Sequence, residues 1–308
     1  MSSLLPMPDD EREIRDHLDA AGWVRVMRHL AERHGLSAHE PTPYASGSDA
    51  VWRVGDCVIK LSTPEWAQQI AREASALEHV EGRLGIDTPR LIAHGALEGW
   101  PYVISSRLQS EPLAAHWGEL DAHARRGLAR ELGELTRALH ALPAPAWEDG
   151  FDAFWARCRT NVAARHHEAV NPPELEARID PLLAELGELD DGERVFAHTE
   201  LLDHHLYLRR EGEGVRLAGL IDFADAMLAP RAYDFPAVAE FVLRGERGLW
   251  GAFVEGYGGG AAALDPLHLF GWSLSHRYGR LRRALEAVGE PRPQSLEELA
   301  VRLYGSAD

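Results

Sequence analysis

The segment from Val195 to Phe223 is the most informative part of the sequence. It reads Val-Phe-Ala-His-Thr-Glu-Leu-Leu-Asp-His-His-Leu-Tyr-Leu at 195–208 and Val-Arg-Leu-Ala-Gly-Leu-Ile-Asp-Phe at 215–223. Two short apolar runs flank a polar bend, and the second run ends on Asp222. This pattern predicts a loop that leads into a β-hairpin and holds acidic groups on a rigid support. The polar side chains of the bend are His198, Glu200, Asp203, His204 and His205.

The composition limits what the rest of the chain can be. Its 308 residues, 45% of them hydrophobic, suffice for two domains or one large bilobal molecule. Forty-nine acidic residues against 32 basic ones give a formal charge of −17, which argues against a nucleic-acid or anionic-membrane partner. Cys57 and Cys158 lie far apart in the sequence, and we find no signal peptide or membrane-spanning apolar run, so we expect a cytoplasmic protein.

The first hundred residues predict a small β-rich region. A leading helix or helix pair spans 9–34 and is interrupted near Gly22. Gly55-Asp56 joins two short β-type runs and predicts a hairpin. The predicted strands lie at 51–54, 57–61, 90–94 and 100–106, with a helix from Thr63 to about Leu84.

Beyond Arg107 the hydrophobic pattern is helical. Helices are predicted at 120–142, 151–170, 173–186, 231–243, 248–257, 267–288 and 296–304. The sequence therefore predicts an α+β, bilobal fold, with a β-rich lobe at 1–107 and a mostly helical lobe at 108–308 that contains the polar hairpin.

Three features of this plan could carry chemistry. Lys60 lies in an apolar strand, where it would need an anionic partner such as Glu73; alternatively both side chains face solvent. The backbone of Ser46-Gly47-Ser48 could approach phosphate oxygens, or form an ordinary turn. Asp222 ends an apolar strand and could hold Mg²⁺ through oxygen, or cap the following turn.

Together these residues resemble a known family. Lys60, Glu73, His198-x-Glu200 and Ile221-Asp222-Phe223 occur in the order and approximate spacing of the aminoglycoside phosphotransferase family, which shares the protein-kinase fold. Hygromycin-type phosphotransferases look most similar. The resemblance extends to Val58-Ile-Lys-Leu61, Arg72-Glu-Ala74, Trp100-Pro-Tyr-Val103, Gly219-Leu-Ile-Asp-Phe-Ala-Asp225 and Ala232-Tyr-Asp-Phe235.

The resemblance implies phosphoryl transfer from ATP or GTP, with Mg²⁺, to a hydroxyl of a small molecule. By this resemblance Lys60, oriented by Glu73, contacts the phosphates, and Asp222 binds the metal. The nucleotide would also meet the glycine loop at Ser46, Gly47 and Ser48, and the chain near Ser105, Ser106 and Leu108. Asp234 would brace the catalytic loop. Glu240, Glu255 and Glu286 belong to an acidic half that would suit a cationic acceptor such as an aminoglycoside, in a monomer or a dimer.

The catalytic loop departs from the family pattern at three positions. Glu200 stands where the family has the Asp base, Thr199 where it has Gly, and His205 where it has the Asn metal ligand. Glutamate can still accept a proton, although it is longer by one methylene. Imidazole nitrogen is a ligand that Mg²⁺ disfavours, so Asp203 offers a replacement oxygen. We expect His198 to brace the loop.

Three interpretations remain open. The protein is an active kinase with Glu200 as base and His205 or Asp203 in place of the missing Asn; it is a nucleotide-binding pseudokinase; or the loop's histidines and acids form a transition-metal site unrelated to kinase chemistry. The first is favoured because Glu200 keeps the charge and the proton-accepting group of the aspartate.

Overall fold

The structure is a computed structural model. It describes residues 3–7, 14–36, 39–45, 49–190, 192–212, 214–260 and 265–305. The chain forms two compact units, of which the first comprises 1–109 with 220–225 and the second comprises 110–219 with 226–308. The predicted domain limit at 107/108 stays a prediction. The sequence did not predict that 220–225 belongs to the first unit, because the pattern of a hairpin strand does not show which unit the residues after it join.

The first unit is built on a five-stranded antiparallel sheet of strand order β1-β2-β3-β5-β4. Its elements, in chain order, are α1 (Ala20–Arg33), β1 (Thr42–Pro43), β2 (Ala50–Val54), β3 (Cys57–Leu61), α2 (Ala67–Val80), β4 (Leu91–Leu97) and β5 (Trp100–Ser106). The predicted β2–β3 hairpin is confirmed, and Gly55 takes the positive φ of 60° that its turn requires.

Helix α1 closes the core of this unit. Its buried Val26, Met27 and Leu30 share one apolar cluster with Ile59 of β3 and Trp100 of β5. The predicted interruption exists but lies earlier than Gly22, at residues 18–19, between a short 3-10 helix at Ile14–His17 and α1. The helix begins at Ala20 because the Asp19 carboxylate accepts a hydrogen bond from the Gly22 backbone N–H at 2.6 Å, which caps the helix.

The second unit is mostly helical. It contains β6 (Glu111–Pro112), α3 (Leu113–His116), α4 (Ala122–His140), α5 (Phe151–Cys158), α6 (Val162–His166), α7 (Pro173–Leu186), β7 (Val195–Ala197), β8 (Leu206–Glu211), β9 (Gly214–Leu220), β10 (Met227–Ala229), α8 (Phe235–Ala237, continued by a π-helix at Val238–Leu243), α9 (Leu249–Tyr257), α10 (Pro266–Ser275), α11 (Leu281–Val288) and α12 (Leu296–Tyr304). Strands β8 and β9 are neighbours in a sheet of order β6-β8-β9, as the predicted hairpin requires, and β7 pairs with β10.

Two predicted helices are divided in the structure. The helix expected at 151–170 stops at Cys158 and restarts at Val162, because Asn161 adopts a left-handed conformation with a φ of 54°. The helix expected at 267–288 is broken by a turn between Ser275 and Leu281. Apolar periodicity continues across both breaks, so the pattern alone did not reveal them.

Among the described residues, no helix is both long enough and apolar enough to cross a bilayer. The α+β class predicted from the sequence is confirmed: an antiparallel sheet dominates the first unit and helices dominate the second.

Candidate active site

Lys60 lies in the middle of β3, opposite Val51 of β2 and Val103 of β5. Its ammonium Nζ is 3.0 Å from Glu73 Oε2 on α2 and 3.2 Å from Asp222 Oδ1. A third carboxylate, Asp49 Oδ2, is 3.4 Å away. The Lys60 side chain is only 12% exposed, so the predicted pairing with Glu73 is confirmed and the surface alternative is excluded.

The charges of this cluster do not balance. Burial acts to lower the pKa of Lys60, but Glu73, Asp222 and Asp49 outweigh it and hold that pKa well above its usual value. Burial raises the pKa of Glu73 against the attraction of Lys60, and the nearby Asp222 and Asp49 raise it further. One ammonium faces three carboxylates, and such a group of oxygens suits an added cation.

Lys60 is also the only lysine of the chain, since the other 31 basic residues are arginines. A compact ammonium fits a buried three-carboxylate site better than the wide, planar guanidinium does. The single lysine can be read directly from the sequence, and it favours a specific role for Lys60.

The segment that carries Asp222 is fixed to the first unit on both sides. The Leu220 N–H donates to the Asp87 carbonyl at 3.0 Å, and Gln69 Nε2 on α2 donates to Asp225 Oδ1 at 2.7 Å. Asp222 itself has a φ of 65°, which is uncommon for a residue with a Cβ. The strand therefore ends at Leu220, and a turn places the Asp222 carboxylate against Lys60.

Asp49 was missed in the sequence. Ser62 Oγ donates to its Oδ1 at 2.5 Å. The hairpin register pairs Ala50 with Leu61, so the residue before β2 and the residue after β3 are neighbours. A prediction of that register from the sequence would have placed Asp49 next to the end of the strand that carries Lys60. The adjacent Ser46, Gly47 and Ser48 of the predicted phosphate loop lie outside the described residues.

The predicted purine-contacting residues lie at the end of β5, the strand beside Lys60. Ser105 is opposite Val58, and the Ser106 N–H donates to the Arg90 carbonyl at 2.9 Å. The Arg90 N–H donates in turn to Ser106 Oγ at 2.8 Å. Leu108 is buried. Their contact with a nucleotide stays a proposal.

In the second unit, the loop that follows β7 is organised around Asp234, which is fully buried. One carboxylate oxygen accepts the His198 N–H at 3.1 Å and a hydrogen bond from His140 Nε2 at 2.9 Å, and the other accepts the Thr199 N–H. His140 Nδ1 lies 2.8 Å from Tyr257 Oη. Burial acts to raise the pKa of Asp234, but these histidines and the Thr199 N–H outweigh it and lower that pKa. The arrangement agrees with the bracing role expected for Asp234.

Glu200 and its neighbours are positioned by backbone contacts. The Glu200 N–H donates to His198 Nδ1 at 3.3 Å, which supports a bracing role for His198. The Glu200 carbonyl lies 2.9 Å from His205 Nδ1, so that nitrogen carries the hydrogen of the buried imidazole. Thr199 between them has a φ of 69°, a left-handed conformation that glycine adopts without strain.

Asp203 is held by side chains of the second unit. Arg244 Nη2 lies 2.5 Å from its Oδ2, and His204 Nδ1 lies 3.2 Å from its Oδ1. Burial opposes these contacts, but they lower the pKa of Asp203. The Asp203 carbonyl accepts the N–H of Ala114 on α3 at 3.0 Å. These contacts anchor the loop, and a metal-binding role for Asp203 stays a prediction.

The three acidic residues associated with a cationic acceptor are all engaged. Glu240 is buried. Glu255 forms ion pairs of 2.6 Å with Arg130 and 3.1 Å with Arg126, and Glu286 forms one of 2.7 Å with Arg282. Glu240 is therefore shielded from solvent, and Glu255 and Glu286 already have cationic partners.

Comparison with known proteins identifies the family of the chain. The model of the phosphotransferase enzyme family matches residues 40–270, and the chain belongs to that family. The resemblance inferred from the sequence is confirmed.

An aminoglycoside 3'-phosphotransferase of Streptomyces fradiae is 29% identical over 179 residues, which are 56% of this chain and 65% of that relative. The chain thus matches somewhat less than two thirds of that relative's length.

Solved structures of low sequence identity share the fold. An aminoglycoside 2'-phosphotransferase of type IIIa in complex with GDP gives a TM-score of 0.65 at 16% identity, covering 82% of this chain and 87% of the other. An aminoglycoside 3'-phosphotransferase of type VIII gives 0.61 at 20% identity, covering 82% and 98%. A macrolide 2'-phosphotransferase from Brachybacterium faecium gives 0.58 at 20% identity, covering 92% and 99%. These likenesses confirm the protein-kinase-like fold.

Proposed function

We propose that the protein transfers the γ-phosphate of a nucleoside triphosphate, ATP or GTP, to a hydroxyl of a small molecule with the help of Mg²⁺. The observation that carries this proposal is the buried Lys60–Glu73 ion pair with Asp222 beside it, in a chain with no other lysine. A structural ion pair alone would not require three carboxylates around one ammonium.

Lys60 and Asp222 have complementary roles in this proposal. The cluster has more negative than positive charge, so a nucleotide's phosphates would be repelled unless a cation came with them. The Asp222 carboxylate would hold Mg²⁺, which would supply that positive charge. Lys60, kept in place by Glu73, would then contact the phosphate oxygens. His205 remains the proposed second ligand position, with a nitrogen in place of the family's amide oxygen.

Glu200 is the proposed base. Its carboxylate would accept the proton of the acceptor hydroxyl as the new O–P bond forms and the bond from the γ-phosphorus to the bridging oxygen breaks, which releases the nucleoside diphosphate. Bracing by Asp234 and His198 would limit the displacement that the extra methylene of glutamate introduces. Small displacements matter, since a ~1 Å error can lower the rate ~100-fold.

The second candidate is a nucleotide-binding pseudokinase. The observation that favours it is the loop itself, where Thr199, Glu200 and His205 all differ from the family pattern. Both candidates predict nucleotide binding, and only the first predicts transfer.

Nucleotide binding is tested by isothermal titration of ATP and GTP with millimolar Mg²⁺. We expect binding by the wild type, and a loss of at least about tenfold in affinity in Lys60→Met, since a charge-assisted contact contributes about 1.5–3 kcal/mol. Arg53→Gln, an exposed change on β2, is the matched control and should leave affinity unchanged. Absence of binding by the folded wild type would reject both candidates.

Because Lys60 carries the only ε-amine, a second readout is available. An acyl-phosphate derivative of ATP should acylate Lys60, as peptide mass spectrometry would show, and excess Mg²⁺–ATP should protect it. Labelling that excess nucleotide does not prevent would place the nucleotide elsewhere.

A further inference from the structure

Lys60 Nζ has as many carboxylate neighbours as it has N–H donors. An ammonium group carries three N–H donors and no acceptor. Glu73 Oε2 lies 3.0 Å from Nζ, Asp222 Oδ1 lies 3.2 Å away and Asp49 Oδ2 lies 3.4 Å away, all within the first unit. A phosphate oxygen that bonds Lys60 must therefore take the place of one of these carboxylates.

Asp49 is the carboxylate that a phosphate replaces at the lowest cost. Its contact with Nζ is the longest of the three and is longer than an ordinary N–H···O hydrogen bond. Glu73 is buried on helix α2, and Asp222 lies on a segment that hydrogen bonds fix to the first unit. Asp49 directly precedes β2 and lies in neither a helix nor a strand. Lys60 can thus keep Glu73 and Asp222 while its third N–H turns to a phosphate.

The Asp49 carboxylate is also held in place independently of Lys60. Ser62 Oγ donates to Asp49 Oδ1 at 2.5 Å, and the Ser62 N–H donates to the Pro101 carbonyl at 2.9 Å. Ser62 is 1% exposed, so the group that holds Asp49 is fixed in the interior. Asp49 therefore remains as a negative charge beside any phosphate that binds Lys60.

This third carboxylate is not needed to neutralise Lys60. Glu73 and Asp222 already outnumber the single ammonium, so Asp49 adds repulsion among negative charges. Its side chain is 17% exposed, and solvent screens a charge there less than at the surface. A residue that opposes local stability in this way is typical of a functional site.

The charge of an incoming nucleotide decides how strongly Asp49 opposes it. A free nucleoside triphosphate adds negative charge to a cluster that already has an excess of it. A nucleotide bound to Mg²⁺ is less negative, and a carboxylate such as that of Asp222, whose side chain is 32% exposed, is a ligand that suits this ion. The cluster therefore discriminates between two forms of the same nucleotide.

We propose that Asp49 makes the site select the metal-bound nucleotide over the metal-free one. Its carboxylate opposes phosphates at Lys60 unless they arrive with the positive charge of a divalent cation. This inference rests on the proposed phosphotransferase function and refines it. Asp49 acts as a specificity-determining residue through its charge and is not itself a metal ligand.

The test measures nucleotide affinity with and without the metal. ATP and GTP are each titrated calorimetrically, in millimolar Mg²⁺ and in excess EDTA, into the wild type and Asp49→Asn. Asparagine keeps the size of Asp49 and an oxygen for the Ser62 hydrogen bond, but it removes the charge. We expect metal-free nucleotide to bind Asp49→Asn about tenfold or more tightly than the wild type, and the magnesium-bound nucleotide to bind both within about threefold.

Two further variants separate the local charge from shape and from the net charge of the chain. Asp49→Glu keeps the charge and should keep the wild-type preference for the magnesium-bound nucleotide. Asp56→Asn removes one carboxylate from the opposite end of the β2–β3 hairpin, where the side chain is 87% exposed, and should change neither affinity.

Three results overturn the proposal. In the first, Asp49→Asn binds metal-free nucleotide no more tightly than the wild type at concentrations up to about 10 mM. In the second, Asp49→Asn binds the magnesium-bound nucleotide about tenfold more weakly, which would make Asp49 a metal ligand. In the third, Asp49→Glu behaves like Asp49→Asn. Failure of the folded wild type and of Asp56→Asn to bind magnesium-bound nucleotide would instead reject the phosphotransferase function itself.

Discussion

Lys60 shows how a single side chain can define a site. Its ammonium lies within 3.4 Å of three carboxylates. The partner Glu73 could be predicted, because a buried ammonium needs an anion and the next helix offered one. Asp49 could not be recognised in the same way, because it is one of 49 acids and only the strand register brings it to Lys60.

Thr199 has a backbone conformation that its β-branched side chain disfavours. A β-branched residue with a φ of 69° lacks the freedom of glycine, and we expect Thr199→Gly to raise the free energy of unfolding. Relief of the left-handed conformation is worth about 1–2 kcal/mol, and the added chain entropy of glycine costs about 0.5–1 kcal/mol, so the net gain is ~1 kcal/mol. The difference in the free energy of unfolding between Thr199→Gly and the wild type is measured by urea denaturation.

The control for this change is Thr63, whose φ is −73°. Thr63→Gly relieves no strain and should lower stability by about 0.5–1 kcal/mol. Equal losses in the two variants would show that the left-handed conformation of Thr199 carries no strain.

At the level of the secondary-structure elements, the spacing of hydrophobic residues and the positions of turn residues located most of the helices and strands. The predicted bounds of α7 and α12 are confirmed, at Pro173–Leu186 and Leu296–Tyr304. The breaks at Asn161 and at 276–280 were missed because they depend on contacts distant in sequence, such as the two hydrogen bonds of His166. Local pattern cannot report such contacts.

Helices α4 and α9 cross with backbones in close contact, and glycine makes this possible. A Cβ on Gly133 would lie 2.1 Å from the Phe253 carbonyl. We expect Gly133→Ala to lower the free energy of unfolding by about 3 kcal/mol, because neither backbone can yield. Gly127, on the same helix α4, has nothing within 4 Å of an added Cβ, so Gly127→Ala should raise stability by about 0.5–1 kcal/mol. Similar effects of both changes in urea unfolding would contradict this packing.

The π-helix at Val238–Leu243 contains a buried carboxyl group that should make stability depend on pH. Burial raises the pKa of Glu240 to about 7, against a hydrogen bond with Ser273 and the charge of Arg283. The folded state then binds more protons than the unfolded state between pH ~4.5 and ~7, so this contribution is complete below that window and is lost as pH rises through it. The loss amounts to about 3 kcal/mol.

Glu240→Gln removes this titration. The stability difference between variant and wild type, from urea unfolding at several pH values, should shift in favour of the variant between pH 4.5 and 8. A difference independent of pH would show that Glu240 titrates normally in the folded protein.

At the scale of the whole molecule, the charge is unevenly distributed. The net charge of −17 suggested a cationic acceptor, yet Glu255 and Glu286 are already paired with arginines. A net charge sums over the chain, whereas a ligand responds to the charges within about a Debye length. The fold class and the Lys60–Glu73 ion pair could therefore be predicted from the sequence, but the local field around an acceptor could not.

The central claim, transfer of a phosphoryl group with Glu200 as base, is tested most directly by mass spectrometry of hydroxylated acceptors incubated with Mg²⁺, nucleotide and protein. For the wild type we predict an acceptor that gains one phosphate, and for Glu200→Gln a loss of transfer of about 100-fold or more with nucleotide affinity nearly unchanged. Nucleotide binding without any phosphorylated acceptor, or equal transfer by wild type and Glu200→Gln, would contradict it.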